Sequence, residues 1–158
     1  MKCITLEYPD GSVETRGGLG PRMLARFGGD ADAALQYILT ELVPIQNPGA
    51  TARIEDVAFP VDRRFRNAWT RGAGNIEVDM PKARTIHMDR IRVERDKALA
   101  QNDTDFAIAQ KGRNVADENR IIAEAQVLKD IPQTFDLSGA TTPEALDALW
   151  PAELPARS

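Results

Sequence analysis

The segment MPKARTIHMDRIRVERDKALAQ, Met80–Gln101, predicts a long helix and decides the fold class of this sequence. Its residues are good helix formers, and Pro81 suits the first helical turn, where a missing N–H costs nothing. The polar run NDTD, Asn102–Asp105, then predicts a turn, and a second helix follows over Phe106–Lys129. Two helices of about twenty residues joined by a short turn are expected to lie antiparallel as an αα-hairpin.

The second predicted helix carries two neighbouring apolar stripes. The first stripe repeats every seven residues, so this helix is expected to bury one face against the first helix or against another subunit. The first stripe consists of Ile108, Val115 and Ile122, and the second of Ile121, Ala125 and Leu128. Pro132 disfavours helical geometry at Ile131, so the helix is expected to end there.

The N-terminal part of the chain predicts a small unit of strands and helices. Alternating apolar residues predict strands, and Pro9-Asp10-Gly11 supplies the turn of a hairpin. Asp30 suits the N-cap of a helix that is expected to stop before Pro44. The predicted strands cover residues 2–8, 12–16 and 52–59, and the predicted helices cover residues 21–27 and 31–42.

The C-terminal part predicts a linker and one short helix. Thr141 and Glu144 have the spacing of a capping box, and Pro143 suits the first turn of the helix. The fold class is therefore expected to be α+β, in four parts. These parts are a βα unit (1–60), an aromatic and basic connector with a short strand at 76–78 (61–79), an αα-hairpin (80–131), and a linker with a short helix and tail (132–158).

Composition limits the class of protein. A chain of 158 residues with 42% hydrophobic and 28% charged residues fits one ordinary domain or two small ones and excludes wholesale disorder. No apolar run is long enough for a membrane span, and the start MKCITLEYPDG lacks the features of a signal peptide, so a cytoplasmic protein is expected. A single cysteine, Cys3, excludes an intrachain disulfide and a cysteine-based zinc site.

The formal net charge of −4 is unevenly distributed. Residues 1–60 carry five basic and eight acidic groups, residues 61–100 carry ten and six, and residues 101–158 carry five and ten, which gives −3, +4 and −5. The basic middle could steer an acidic partner, but its charge is small beside that of dedicated nucleic-acid binders.

The stretch VDRRFRNAW, Val61–Trp69, allows three interpretations. Basic groups interleaved with aromatic rings can contact phosphate and stack on bases. Phe65 and Trp69, however, are four residues apart and share one face of any helical turn, which is the spacing of a packing element. The arginines then line its wet side or dock a protein partner. This spacing favours the packing interpretation over partner docking, and both over nucleic-acid binding.

The sequence offers no coherent set of catalytic or metal-binding residues. His87 is the only histidine, and it shares a predicted helix face with Met80, Ala83 and Ile91, which favours a packing role. The run GGLGPR lacks the lysine and the βαβ setting of a phosphate loop, and Asp103-Thr104-Asp105 lacks the later ligands of a calcium loop. A non-enzymatic protein without cofactor or metal is therefore expected.

Four segments, taken in order, resemble a type of small protein encoded beside the tail-fibre genes of tailed bacteriophages and prophages. They are FPVDRRFRNAW, IEVDMPKAR, IRVERDKAL and QVLKDIP, and Trp150-Pro151 follows them. The last part is similar to the C-terminal half of phage tail-fibre assembly chaperones. The resemblance covers about residues 59–151, and Lys129 stands where that pattern has arginine. In the hairpin and the closing segment it is carried by Ile91, Arg92, Arg95, Asp96, Leu99, Gln126, Leu128, Lys129, Asp130, Ile131 and Pro132.

The resemblance implies a phage tail protein that acts by protein–protein contact. It would serve tail-fibre assembly in a chaperone-like role, in the host cytoplasm, or form part of the fibre or its attachment site in the virion tail. The implied partners are tail-fibre, baseplate or other tail proteins, with no membrane and no nucleic acid. The apolar stripe of the second helix adds a second copy of the chain as a possible partner. The expected partner-binding residues are Arg63, Arg64, Phe65, Arg66, Trp69, Ile108, Val115, Ile122, Ile131, Leu146, Leu149 and Trp150.

The alternative from a different class is a nucleic-acid-binding module. It would use Arg63, Arg64, Arg66 and Arg71 beside the aromatic rings of the same stretch.

Overall fold

In the computed structural model, which describes residues 2–157, the chain begins with an antiparallel pair of strands, β1 (Lys2–Glu7) and β2 (Val13–Arg16). Gly11 in the turn between them has φ 78°, a conformation that strains any residue with a Cβ. Strand β3 (Thr51–Asp56) pairs antiparallel with the other edge of β1, which gives the order β2-β1-β3. The predicted strands are confirmed to within a few residues.

Helical segments connect β2 to β3. They are α1 (Pro21–Arg26), α2 (Ala31–Tyr37), a π-helical turn (Ile38–Leu42) and α3 (Val43–Gln46). Asp30 caps α2 as predicted, because its Oδ1 accepts from the backbone N–H of Asp32 and Ala33, each at 3.0 Å. The expected stop before Pro44 is wrong. The π-helical turn starts a new helical segment at Val43, and Pro44 lies in its first turn, where no N–H donor is required.

The three-stranded sheet is covered on both faces. Ile4 and Leu6 point to one face and pack with Leu35 and Val43 of the helices. Cys3 points to the opposite face, because side chains alternate along a strand. There it packs with Val13, Val57, Trp69 and Ile76.

A second, two-stranded sheet supplies the cover on the Cys3 face. Strand β4 (Trp69–Arg71) follows a 3₁₀ turn (Arg66–Ala68) and pairs antiparallel with β5 (Ile76–Val78). The structure therefore differs from the predicted connector. Residues 61–79 belong to a compact unit with residues 1–60, because Trp69 and Ile76 are part of its core. The remaining residues, 80–158, form a second compact unit.

The second unit is built on a helical hairpin, as expected, but its turn lies elsewhere. Helix α4 runs over Met80–Gly112 and α5 over Val115–Thr134. The predicted break at 102–105 is wrong. Arg113, with φ 53°, ends α4 instead, and Asn114 caps α5 by accepting from the N–H of Asp117.

The polar run at 102–105 remains helical because its side chains find partners on the hairpin. Asn102 Nδ2 donates to the carbonyl of Ile121 on α5 at 3.1 Å. Thr104 Oγ1 donates to the carbonyl of Ala100 one turn earlier at 3.1 Å, and Asp105 accepts from Gln101 at 2.9 Å. Asn102 and Asp105 thus hydrogen-bond to groups other than their own local backbone, and the Thr104 bond to the preceding turn is compatible with a helix.

The end of α5 and the C-terminal segment also depart slightly from expectation. Helix α5 continues through Pro132 to Thr134. Helix α6 (Pro143–Ala148) begins at Thr142, whose hydroxyl accepts from the N–H of Ala145 at 3.2 Å, one residue later than the predicted cap.

The core of the second unit comes from all three of its helices and from the C-terminal segment. Ala83, His87 and Ile91 follow one another at four-residue spacing on α4 and are buried. The other buried apolar residues are Ala109, Ile121, Leu128, Ile131, Leu137, Ala140, Leu146, Pro151 and Leu154. No helix within residues 2–157 has the length and hydropathy that crossing a membrane requires.

Candidate protein-interaction surfaces

The aromatic residues of VDRRFRNAW are buried. Phe65 and Trp69 contribute large side chains to the first unit, although they flank a 3₁₀ turn rather than share a face of an α-helix. Trp69 packs at the start of β4 against the sheet. Since neither ring reaches the surface, the structure supports the packing interpretation for both.

The arginines around these rings have different environments. Arg64 is held locally by Asp62, since its Nε donates to Oδ2 at 2.7 Å and its backbone N–H to Oδ1 at 2.8 Å. The Arg63 guanidinium carbon lies 6.0 Å from the centroid of the Trp69 ring. Arg63 and Arg66 are exposed.

Arg71 lies inside a polar network on the sheet. Its NH2 donates to Glu55 Oε1 at 2.7 Å and to Thr5 Oγ1 at 3.2 Å, and its Nε donates to Glu7 Oε2 at 3.1 Å. Thr5 Oγ1 also donates to Glu55. The hydrogen bond from Arg71, followed by that from Thr5, lowers the pKa of Glu55. The hydrogen bond to Glu55 in turn raises the pKa of Arg71. Through its hydrogen bonds to Glu55, Thr5 and Glu7, Arg71 joins β4 to the three-stranded sheet.

The predicted heptad stripe is exposed around the turn of the hairpin. Ile108, Val115 and Ile122 retain 63%, 64% and 55% of their accessible surface. The neighbouring stripe faces the other helix instead, because Ile121 and Leu128 are buried. We call Ile108, Val115 and Ile122 the hairpin tip.

The predicted C-terminal contact residues divide into two sets. Ile131 and Leu146 are buried and belong to the core, whereas Leu149 and Trp150 are half-buried. The Leu149 carbonyl accepts from Nε2 of the buried His87 at 2.7 Å, which fixes the proton on Nε2. Burial lowers the pKa of His87.

The C-terminal segment folds back on Trp150. The indole Nε1 donates to the carbonyl of Pro155 at 3.0 Å, and the guanidinium carbon of Arg157 lies 4.7 Å from the centroid of the Trp150 ring. Arg157 also forms an ion pair with Asp147 at 2.8 Å and donates to its backbone carbonyl. No sequence signal at Arg157 predicts this contact, because its partners are set by the fold.

Two grooves border α4 in the second unit. The acidic groove, of about 640 Å³, has an apolar floor that includes Val127, Leu128 and Pro155. Its charged lining residues are Asp105, Glu124 and Glu153, with Arg120 as the one base.

The basic groove has a volume of about 390 Å³. Its charged lining residues are Arg90, Lys97 and Arg157, with Glu94 as the one acid, and Val93 and Trp150 also line it. Neither groove was predicted from the sequence.

The described residues do not form a recognisable metal or thiol site. Within residues 2–157, no group of three or more His, Cys, Asp and Glu side chains is arranged to hold a metal ion. Cys3 is buried, and burial together with the charge of Glu55 raises the pKa of its thiol. The thiol is therefore held in its protonated, less nucleophilic form.

Comparisons with protein-family models, with curated proteins and with solved structures give no match for this chain.

Proposed function

We propose that this chain is a bacteriophage tail protein that acts by protein–protein contact, in tail-fibre assembly in a chaperone-like role or as a structural part of the tail fibre or its attachment site. The resemblance of its segments to proteins encoded beside tail-fibre genes supports the phage setting. The hairpin tip is the observation that carries the contact role.

The hairpin tip has the character of a binding surface. Its three β-branched apolar side chains are exposed within about two helical turns of the 113–114 turn. Ile108 lies at the end of α4, and Val115 and Ile122 lie in the first part of α5. Exposed large apolar residues that are grouped in one region of a fold mark contact sites more often than residues scattered singly. Burying them against a partner would stabilise a complex by about 25 cal/mol per Å² of apolar area removed from water, before the costs of association.

Charged residues on the hairpin can orient such a partner. Arg92 pairs with Asp89, and Arg120 with Glu124, in exposed ion pairs of 2.8 and 2.7 Å. Exposed pairs of this kind contribute little to stability. Charges arranged along a surface chiefly set the association rate and the choice of partner.

The nucleic-acid alternative has weaker geometric support. Arg71 is engaged by two carboxylates and Arg64 by Asp62, and both aromatic rings are buried away from any base. Stacking on bases requires an accessible ring face. Binding of DNA or RNA that falls steeply with salt would favour this alternative, and no binding at low salt would exclude it.

Co-expression with the tail-fibre protein of the same phage or prophage tests the contact. The wild-type chain is expected to co-purify with the fibre protein, and the I108S/I122S variant is expected to lose at least about tenfold in affinity, as for hot-spot residues. Val61→Ser is the matched control, because Val61 is 98% exposed and lies outside the hairpin. Equal binding by all three chains would refute the role of the tip.

Mass spectrometry of purified particles distinguishes the two forms of the proposal. A fixed copy number per particle indicates a structural component. Absence from particles together with co-purification of unassembled fibre indicates a chaperone. Absence from particles without any co-purification would overturn the proposed function.

A further inference from the structure

The acidic groove and the basic groove occupy one continuous side of α4. The basic groove is lined on α4 by Arg90, Val93, Glu94 and Lys97. The acidic groove is lined on the same helix by Ala98, Gln101, Asn102 and Asp105. Both grooves include Pro155 of the C-terminal segment. From Arg90 to Asp105 this surface spans about 22 Å of helix at 1.5 Å per residue.

The charges on this surface are complementary to each other. The acidic groove is lined by three acidic residues and one basic residue, which gives −2. The basic groove is lined by three basic residues and one acidic residue, which gives +2. Arg157 on the basic half is paired with Asp147 at 2.8 Å. The two halves therefore carry opposite charge along one side of the same helix.

Each half also exposes apolar area that water solvates poorly. Val93 on the basic half and Val127 on the acidic half are both exposed. An interface that buried them would combine a favourable apolar contribution with charge pairing at its rim.

We propose that this face of the second unit binds a second copy of the same chain through a two-fold axis, so that each basic groove lies over the partner's acidic groove. In a two-fold symmetric interface every contact occurs twice, once on each side of the axis. Such an interface requires a surface that is complementary to itself. A partner of uniformly basic or uniformly acidic character would match one groove and oppose the other. A second copy in this arrangement matches both.

Lys97 and Asp105 are the residues that this arrangement brings opposite each other. They lie two helical turns apart on α4, and both are exposed. Lys97 pairs locally with Glu94 at 2.7 Å, and Asp105 accepts a neutral hydrogen bond from Gln101 at 2.9 Å. Each charge can therefore contact a second chain while its local bond is kept.

Sedimentation equilibrium of the full chain, from about 1 µM to about 1 mM, tests the proposal. We expect a reversible dimer of twice the 17.4 kDa chain mass, with weaker association as NaCl rises from about 50 to about 500 mM because salt screens exposed charges. Lys97→Glu and Asp105→Lys are each expected to weaken the dimer at least about tenfold, and the double variant K97E/D105K is expected to recover most of that loss.

Two control variants make the same changes of charge at positions outside both grooves. Lys129→Glu and Asp103→Lys are at exposed positions of α5 and α4 that line neither groove. They are expected to leave the dissociation constant within about twofold. Circular dichroism establishes that every variant remains folded.

A chain that is monomeric up to about 1 mM, or a dimer that K97E and D105K leave unchanged, would overturn the proposal. Neither result bears on fibre binding by the hairpin tip, so the two proposals fail separately.

Discussion

Arg71 illustrates how one side chain joins two sheets. Its guanidinium lies between Glu55, Glu7 and Thr5, and these groups are only partly exposed to solvent. A charge-assisted hydrogen bond in such a setting contributes more than an exposed ion pair, because fewer waters compete for it. Arg71 is therefore expected to be one of the main polar contributors to the stability of the first unit.

Arg71→Met should lower the free energy of unfolding by about 2 kcal/mol, because it leaves the partly buried Glu55 without its strongest donor. Urea denaturation followed by circular dichroism measures the change. Arg64→Met is the matched control. Its ion pair with Asp62 is local, and the Arg64 side chain retains 55% of its accessible surface against 25% for Arg71, so we expect a loss below about 0.5 kcal/mol. Equal losses in both variants would contradict the role of the network.

His87 makes stability depend on pH. The folded chain holds the imidazole buried, with Nε2–H donating to the carbonyl of Leu149, and its pKa is lowered by burial. As the pH falls through the ordinary value of about 6.5, the unfolded chain binds a proton that the folded chain does not bind. The free energy of unfolding should therefore decrease from pH 7.5 toward pH 5.5.

Urea denaturation at several pH values measures this slope. The charges of Arg157, Asp147 and Arg90 also act on the imidazole. His87→Gln should flatten the profile even if it lowers stability at every pH, because no other histidine is present. A wild-type profile that is flat over the same range would show that His87 keeps its ordinary pKa.

The turn between α4 and α5 depends on one residue with a strained backbone conformation. Arg113 has φ 53°, in the left-handed region that costs a residue with a Cβ roughly 1 kcal/mol relative to glycine. Asn114 then caps α5. The turn position is therefore set by one backbone conformation and one cap, and not by a cluster of turn-forming residues.

Arg113→Gly should raise the free energy of unfolding by about 0.5–1 kcal/mol, since glycine adopts positive φ without strain. The matched control, Arg92→Gly, places glycine in the middle of α4, where it should cost about 1 kcal/mol. Thermal denaturation of the two variants should thus give shifts of opposite sign. A loss of stability in both would show that Arg113 makes contacts worth more than its strain.

The hairpin also shows what the sequence could and could not predict. Helix-forming residues and the start at Met80 were sufficient for the two helices, and buried Ile121 and Leu128 follow from their spacing. The turn was misplaced because Asn102 bonds across to Ile121, a contact that exists only after the hairpin has formed. The two grooves could not be predicted for the same reason, since each is lined by residues that are distant in sequence.

The boundary between the two units lies later in the chain than its composition suggested. The basic and aromatic stretch after Pro60 reads as a connector because its charges differ from those of its neighbours. Trp69 and Ile76 nevertheless complete the core on the Cys3 face of the sheet. The composition of such a stretch mainly reflects its solvent-exposed side chains. Its buried side chains determine which unit it belongs to.

Cutting the gene at this boundary gives a last prediction. Residues 1–79 and residues 80–158 each form a compact unit with its own buried residues. A fragment of residues 80–158 is therefore expected to remain folded, with strong helical circular dichroism and a cooperative thermal transition.

A cut after residue 60 is the matched control. Fragment 61–158 keeps Trp69 and Ile76 but loses Cys3, Val13 and Val57, against which they pack. Its exposed apolar side chains should bind a hydrophobic dye and promote aggregation, while fragment 80–158 should do neither. If the longer fragment were as well folded and dye-free as the shorter one, residues 61–79 would not need the first unit, and the core assigned to Trp69 would be wrong.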